Sequence, residues 1–599
     1  MSGKRLKIGG LAIAVTAALV LSACGSSKSS NSTNNSSAQT NANGTTAGVS
    51  AAFNNASTGF VNKSDKTGGN LKLLANADCD SWDPARTYYA WCFNMQRIFT
   101  RTLVGFSSLP GANNVKIEPD LAAGLGQHNA DFTQWTYKLQ SGLKWDDGSP
   151  ITSKDVKYGI ERLFAQDVIN GGPSSYFLAL IKNSGYKGPY KGGSLDTIQT
   201  PDDQTITFNL TSSYADFDYL MTLPAAAPVP ADKEGGSTFK GASYTNHPAS
   251  SGPYKISQYT PKKSITFVKN PQWSQSTDKI RTPKADTITL TFDSNLDDED
   301  QQLQSGQADA EADQGVNSTL QSKIATDPNL KKNADDPITG FTRYLAVMQT
   351  VAPLTNVHCR NAVFYAINKA ALLRARGGQY GGQIANTMSP PVIAGYDASA
   401  NPFPTGADST GDLTKAKDEL KACGQPSGFS TKMAYSTSAH SKDVFIATQQ
   451  SLARVGIKLT GAQQDSSNYY STFIGSPANI KSQGLGLAVA GWGADFPTGF
   501  GFWNSIVYGK NLPATGNTNY VSLNDPKVNS ILETVVKSAG THDSDFKTLD
   551  AQVMSDAVYL PYVYDKTLFY RNPRITNVRV NFALGGYYDF VNIGTSDGK

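Results

Sequence analysis

Two observations predict an α/β protein with at least two lobes. In residues 430–464 the segment STKMAYS reads as a strand, residues 444–455 as a helix, and GIKLTGAQQ as the next strand. Strand, helix, strand in this order is a βαβ unit. The second observation is length, because the roughly 530 residues that follow the N-terminal region are too many for one compact core.

The N-terminus has the layout of an export signal. Lys4, Arg5 and Lys7 precede an apolar run over residues 8–20, which is short for a membrane span of about 20 residues. The sequence LSAC that ends at Cys24 resembles the lipobox of bacterial lipoproteins, in which the cysteine is lipidated. The alternative is a cysteine beside an ordinary cleavage site. We expect residues 1–23 to be removed and Cys24 to anchor an exported protein on the outer face of the bacterial cell membrane.

Residues 24–69 predict a flexible tether. This segment is mostly Ser, Asn, Thr, Gly and Ala, so it buries too little apolar surface to offset the entropy of ordering. A coil of this length reaches roughly 35–40 Å. We therefore expect the folded body to begin near Asn70.

The charge of the chain excludes one class of partner. The formal charge is +4, and the signal peptide carries three of the positive charges, so the mature chain is near +1. Binding of nucleic acid requires a basic surface, so no nucleic-acid partner is expected. The acidic run Asp297-Asp298-Glu299-Asp300 lacks the spacing of a calcium loop and more simply begins a helix. We expect no metal and no cofactor.

Four cysteines remain if Cys24 is lipidated. An even number in an exported protein predicts two disulfides, and three pairings are possible. We favour Cys79–Cys92 and Cys359–Cys423, because each pair then lies within one region of the chain. Free buried thiols are the alternative. No CxxC motif is present, so a thiol-redox or zinc-ribbon site has no support.

A strand followed by a capped helix is predicted in residues 135–164. Trp135, Tyr137 and Leu139 alternate with polar residues, and Thr152 with Asp155 forms a capping box before an amphipathic helix. We assign the intervening Asp146-Asp147-Gly148 to a turn rather than to acid–base catalysis.

Seven segments, in order, resemble the signature of the peptide-type extracellular solute-binding proteins (family five) of ABC importers. Together they span nearly all of residues 70–588. They are PDLAAGLGQ with WTYKLQSGLKWDDGSPITSKDVKYGIERL, SSGPYKISQYTPKKSITFVKNPQW, LQSGQADA, NVHCRNAVFYAINKAALL, DLTKAKDELKACG, GWGADFPTGFGFW and YVSLNDPKVNSILE.

The resemblance implies a fold of the periplasmic-binding-protein type, with two α/β lobes that close on a ligand. Lobe I would comprise residues 70–344 with an inserted subdomain near 105–215, and lobe II residues 345–565. Residues 566–599 would return to lobe I. The two crossings would lie near residues 343–345 and 561–563, with hinges near Tyr344 and Tyr562.

The resemblance also implies a ligand site at the motif GWGAD. In oligopeptide-binding relatives its Asp, here Asp495, pairs with the ligand's α-amino group, and Trp492 beside Gly493 would line a side-chain pocket. From lobe I, Tyr88 and Trp91 would contribute aromatic contacts. Two plainer interpretations stay open: Asp495 caps a turn before a proline, and the aromatic residues fill core.

One position departs from the family pattern. Tripeptide-binding members carry an Arg six residues before this Asp, where it holds the ligand's carboxylate. Val489 stands there in this chain. Either another basic residue holds the carboxylate, or the ligand is not a short free peptide.

The resemblance implies a monomeric substrate-binding lipoprotein, not an enzyme, that captures oligopeptides or dipeptides for an ABC permease and ATPase complex. Binding of an oligosaccharide or metal chelate, a sensing receptor without a transporter, and a secreted hydrolase are alternatives. The five histidines are isolated in sequence, and neither HExxH nor a nucleophile elbow is present.

Overall fold

A computed structural model describes residues 53–111, 115–169, 172–182, 185–230, 244–438, 440–510 and 512–598. The predicted signal peptide, Cys24 and the first part of the predicted tether lie outside these residues. In the part of the chain that is described, no helix is both long and apolar enough to span a membrane.

The strands, in chain order, are β1 (Asn70–Ala75), β2 (Val104–Phe106), β3 (Ile117–Pro119), β4 (Gln127–His128), β5 (Gln134–Lys138), β6 (Ile198–Gln199), β7 (Thr205–Asn209), β8 (Tyr254–Thr260), β9 (Ser264–Lys269), β10 (Thr287–Phe292), β11 (Ala310–Glu311), β12 (Ala334–Asp335), β13 (Ile338–Val347), β14 (Gly382–Ile384), β15 (Ser430–Ser436), β16 (Lys458–Gln464), β17 (Leu485–Gly493), β18 (Tyr559–Lys566), β19 (Phe569–Tyr570), β20 (Ile575–Thr576), β21 (Val580–Asn581), β22 (Tyr587–Tyr588) and β23 (Gly594–Thr595).

The α-helices are α1 (Ala90–Phe99), α2 (Ser153–Arg162), α3 (Ser174–Leu180), α4 (Phe217–Leu220), α5 (Leu296–Ser305), α6 (Ser318–Thr326), α7 (Pro328–Lys331), α8 (Val357–Ala366), α9 (Lys369–Ala375), α10 (Leu413–Ala422), α11 (Ser441–Ala453), α12 (Ser466–Asn468), α13 (Pro477–Gln483), α14 (Gly499–Val507), α15 (Pro526–Val535) and α16 (Asp543–Ser555).

Three sheets organise the molecule. Lobe I carries a five-stranded sheet of order β11-β1-β10-β9-β8, and lobe II a six-stranded sheet of order β14-β18-β13-β17-β15-β16. A four-stranded sheet of order β4-β5-β7-β6 lies within residues 105–215. Strands β20 and β21, near the C-terminus, contribute buried side chains to the same core as β1 and β10.

Several local predictions agree with the structure. Strands β15 and β16 pair in parallel with α11 between them, which is the predicted βαβ unit. Thr152 and Asp155 form the expected capping box on α2. The acidic run begins α5, whose cap Asn295 accepts a hydrogen bond from the Asp297 backbone. The disulfides are Cys79–Cys92 and Cys359–Cys423, with Cα atoms 5.8 and 5.3 Å apart.

The folded body begins earlier than Asn70. Phe53 and Ala56 are buried, and the Ala56 backbone N–H donates to Asp335 Oδ1 at 2.9 Å. Val61 forms a bridge with Val578. The polar composition of the segment did not indicate these anchors, because one aromatic side chain, one alanine and backbone hydrogen bonds suffice to hold it on the folded body.

The two connections between the lobes lie closer to lobe I than the crossings that the sequence suggested. β12 pairs with β19 on lobe I, and β13 then pairs with β18 from Ile338 and Lys566 onward. Tyr344 is fully buried within the six-stranded sheet, with its ring 4.9 Å from that of Tyr559. The chain therefore passes between lobes at residues 335–338 and 566–569, because β13 and β18 belong to lobe II over most of their length.

Candidate ligand-binding cleft

Asp495 lies where a buried strand of lobe II ends. The apolar strand β17 runs through the sheet core, and the chain then turns so that the Asp495 backbone N–H donates to Gly501 O at 3.1 Å. The Tyr176 hydroxyl donates to Asp495 Oδ2 at 2.6 Å, and the Ser505 hydroxyl donates to the same oxygen at 3.1 Å. Since Tyr176 belongs to the inserted subdomain, two lobes meet at this carboxylate.

Tyr88 of lobe I also reaches Asp495, to which it donates a side-chain hydrogen bond. The structure thus brings together two of the residues that the sequence suggested, Asp495 and Tyr88. The sequence patterns did not indicate Tyr176 or Ser505 as site residues. Tyr176 stands in the inserted subdomain outside any of the matched motifs, and the only signal for Ser505 was its place on the helix after GWGAD.

Burial governs the protonation of Asp495. Desolvation raises the pKa of Asp495 to about 6, although the hydrogen bonds from Tyr176, Tyr88 and Ser505 favour the ionised form. No ion pair to Asp495 exists among the described residues. A carboxylate held by neutral donors alone lacks a countercharge, which an ammonium group would supply.

A cavity of about 490 Å³, counting the space open to solvent, adjoins Asp495. Helix α1, residues 222–224 and residues 105–106 of β2 form most of its wall. Polar groups of the wall include Gln96, Arg97, Thr100, Thr102, Thr222 and Arg281.

The lobes are closed over this region. The Thr498 hydroxyl of lobe II donates to Asp216 Oδ2 at 2.9 Å, and the Phe496 ring stacks on Tyr219 with centroids 6.0 Å apart. The Phe496 ring also lies 5.7 Å from that of Tyr176. These contacts join lobe II to the inserted subdomain and leave Asp495 only partly exposed.

The other suggested site residues serve packing. Trp492 is buried and its indole N–H donates to Phe502 O at 2.7 Å. Trp91 is buried in the apolar core of lobe I. The structure places both indoles in cores rather than beside Asp495. Trp492 alternates with the partly exposed Gly491 and Gly493 on β17, and Trp91 lies in the buried part of helix α1. At Gly493 a Cβ would come within 2.6 Å of the Phe341 ring, so glycine permits that contact.

Metal-binding geometry is not found in the described ranges, where no group of three or more His, Cys, Asp or Glu side chains could hold a metal ion.

Comparison with known proteins decides the family. Residues 116–513 match the sequence profile of the bacterial extracellular solute-binding proteins, family 5. The chain belongs to this family. A solved relative, clavulanic acid biosynthesis oligopeptide binding protein 2, is 38% identical, with a TM-score of 0.86 over 91% of this chain and 98% of that one. The predicted family and two-lobe α/β fold are confirmed.

More distant relatives agree. The glutathione-binding protein GsiB of Salmonella typhimurium is 26% identical over 490 residues, which cover 80% of this chain and 86% of that protein. The Helicobacter pylori protein DppA, solved with the peptide STSA, is 20% identical and has a TM-score of 0.70 over 88% of this chain and 99% of its own. This family 5 protein therefore shares the fold of these binding proteins, and its family is one of extracellular solute-binding proteins.

Proposed function

We propose that this family 5 protein captures peptides between its lobes and delivers them to an ABC permease and ATPase complex. The observation that carries the proposal is Asp495, a partly exposed carboxylate at the lobe interface that has neutral hydrogen-bond donors and no ion-pair partner among the described residues. The α-amino group of a peptide supplies that charge. The names of the relatives, an oligopeptide-binding and a glutathione-binding protein, support the same class of ligand.

The stereochemistry of Asp495 suits an ammonium group. An ionised carboxylate offers about four lone-pair sites. Tyr176 and Ser505 both donate to Oδ2, which leaves capacity at Oδ1 for a charge-assisted hydrogen bond. A hydroxyl of a sugar could also donate there, but it would leave the negative charge uncompensated in a desolvated site.

The remaining parts of the proposal concern the mature protein. Acyl chains on Cys24 would hold it at the outer face of the cell membrane, and the chain acts as a monomer that binds without catalysis. The lipobox and the polar segment after it support the anchor.

The test is the chemistry of the bound ligand. Purified protein is incubated with a randomised library of tri- and tetrapeptides and with the same library N-acetylated, and retained peptides are identified by mass spectrometry. We expect retention of free peptides and loss of the acetylated ones. Equal retention of both libraries, or of neither, would contradict the proposed function.

A further inference from the structure

A pair of arginines lies on the lobe II side of the cleft and shares one carboxylate. Arg343 on β13 and Arg376 after α9 both bind Asp565 on β18. Arg343 Nη2 lies 2.7 Å from Asp565 Oδ2, and Arg376 Nη2 lies 2.7 Å from Asp565 Oδ1. Two guanidinium groups against one carboxylate leave a net positive charge.

Not every N–H donor of the two arginines is used by Asp565. A guanidinium group carries five N–H donors. The buried Nε atoms of Arg343 and Arg376 have no hydrogen-bond partner among the described residues. Asp565 cannot neutralise both cations. Burial alone would raise its pKa, but the charges of the two arginines and the hydrogen bonds they donate lower it, so Asp565 stays ionised with a single charge.

Arg343 shares a sheet face with the residues that lead to Asp495. In the β13–β17 pair, Arg343 lies opposite Gly491 and Phe341 opposite Gly493. These four positions are partly exposed, whereas the alternate positions are buried. A Cβ at residue 491 would lie 2.8 Å from Arg343 Nη1, so the absence of a side chain there makes room for the guanidinium.

Tyrosines connect the arginine pair with Asp495. Tyr470 is 44% exposed and lies within electrostatic range of both guanidinium groups. Its ring is 6.0 Å from that of Tyr520, which in turn interacts with Tyr88, a donor to Asp495. Tyr587 of lobe I also lies near Arg343. Aromatic side chains thus lie between the two charged ends, and of Tyr470 and Tyr520 only Tyr470 is exposed.

The spacing of the two ends limits the ligand length. Asp495 follows Gly491, the partner of Arg343, by four positions, and β17 ends between them at Gly493. Even a fully extended chain would separate the Cα atoms of these two residues by at most about 14 Å. A short peptide therefore suffices to reach both ends.

We propose that Arg343 and Arg376 bind the carboxylate of the ligand, so that the cleft takes short, free zwitterionic peptides with the ammonium group at Asp495. This assignment rests on the proposed function. It also accounts for Val489, which is 9% exposed and pairs with Leu345 on β13, two residues from Arg343.

The test combines a protein variant with a ligand modification. Tri- and tetrapeptides retained from the randomised library are resynthesised with a free and with an amidated C-terminus, and both forms are titrated by calorimetry. The variants are Arg343→Gln, Arg343→Lys and a control, Arg374→Gln, which removes the same charge from an exposed position on α9. Thermal unfolding without ligand checks that each variant folds.

We expect amidation to weaken binding to the unmodified protein by at least ~30-fold, because it leaves the partly buried guanidinium groups without the ligand's negative charge. Arg343→Gln should weaken binding of the free peptide by a similar factor and leave the affinity for the amidated peptide unchanged. Arg343→Lys should restore part of the loss, and Arg374→Gln should have no effect.

Three results would overturn the assignment. Equal affinity of free and amidated peptides for the unmodified protein would show that the arginines do not bind the ligand's carboxylate. The proposed peptide-binding function would still stand. Equal losses for both peptide forms in Arg343→Gln would make the arginine structural only. Retention of no library member would overturn the peptide proposal and this assignment with it.

Discussion

Under the proposed function, Asp495 binds the ligand's ammonium group at a cost to the unliganded fold. Desolvation raises its pKa to about 6, so the ionised form is disfavoured until a cation arrives. We expect Asp495→Ala and Asp495→Asn to weaken binding of a library-selected peptide by about 100-fold or more, because each strands an ammonium group in a closed cleft. Calorimetric titration measures this. Normal binding by Asp495→Asn would indicate that the carboxylate acts only as a hydrogen-bond acceptor, which favours a sugar.

The same residue predicts a pH dependence of affinity. Binding of an ammonium group requires the carboxylate, so below pH 6 Asp495 must first release a proton, and the affinity should fall by up to about tenfold per pH unit. Peptide titrations at pH 5 to 7 test this, with Asp495→Asn as the control in which the slope disappears. An affinity that is constant over this range would mean that Asp495 does not bind the ligand's charge.

A second set of carboxyl groups, those of Glu299 and Glu311, affects the stability of the fold rather than ligand binding. Burial, together with the charge of Asp313, raises the pKa of Glu299 to about 8, and burial with the charge of Glu299 raises that of Glu311 as well. The folded state then binds more protons than the unfolded state between pH 4.5, the ordinary pKa of a glutamate, and pH 8. The free energy of unfolding should therefore fall as pH rises through this window.

Glu299→Gln tests that expectation, because it keeps the shape and removes the charge. We expect this variant to be more stable than the unmodified protein at pH 8 and to differ little at pH 4.5, in urea unfolding followed by circular dichroism. Glu118→Gln, at a partly exposed surface ion pair, is the control. Equal stabilities of Glu299→Gln and the unmodified protein at pH 8 would contradict the expectation.

Among the elements, the disulfides are the strongest local restraints. The Cys79–Cys92 pair closes a loop of 13 residues and the Cys359–Cys423 pair one of 64. Loop-closure entropy gives about 3 kcal/mol for the short loop and about 4 kcal/mol for the long one. Replacing each pair by alanines should lower the free energy of unfolding, and the loss should be smaller for Cys79–Cys92 than for Cys359–Cys423. A larger loss from the short loop would favour local packing over chain entropy as the cause.

Sequence patterns predicted secondary-structure elements better than the tertiary contacts that their residues make. The capping box at Thr152 and the βαβ unit of β15, α11 and β16 are local, so spacing alone identified them. The donor Tyr176 lies 319 residues from Asp495, and no local pattern encodes such a contact. The core positions of Trp91 and Trp492 depend on which face of an element is buried, which an aromatic residue next to a motif does not reveal.

At the scale of the molecule, the site exists only when the lobes are closed. Asp495 and Arg343 belong to lobe II, whereas Tyr88 and Tyr176 approach from lobe I and its subdomain. A ligand that contacts both sides binds the closed state better than the open one and so shifts the population toward it. The segments that link β12 to β13 and β18 to β19, residues 335–338 and 566–569, are the connections about which we expect that motion.

Closure therefore predicts a measurable compaction. Small-angle scattering of the protein with a library-selected peptide should give a smaller radius of gyration than without it, since rigid lobes rotate about these connections.

Tyr176→Phe removes the hydroxyl that joins the subdomain to Asp495. We expect this variant to have a larger ligand-free radius of gyration. It should also bind the peptide about tenfold more weakly, because one hydrogen bond to a charged group is lost. Tyr186→Phe is the matched control, because its hydroxyl lies in the same subdomain and has no hydrogen-bond partner among the described residues. If the radius stays constant while calorimetry confirms binding, the ligand enters a preformed site, and the contacts of Asp216 with Thr498 hold the lobes together without it.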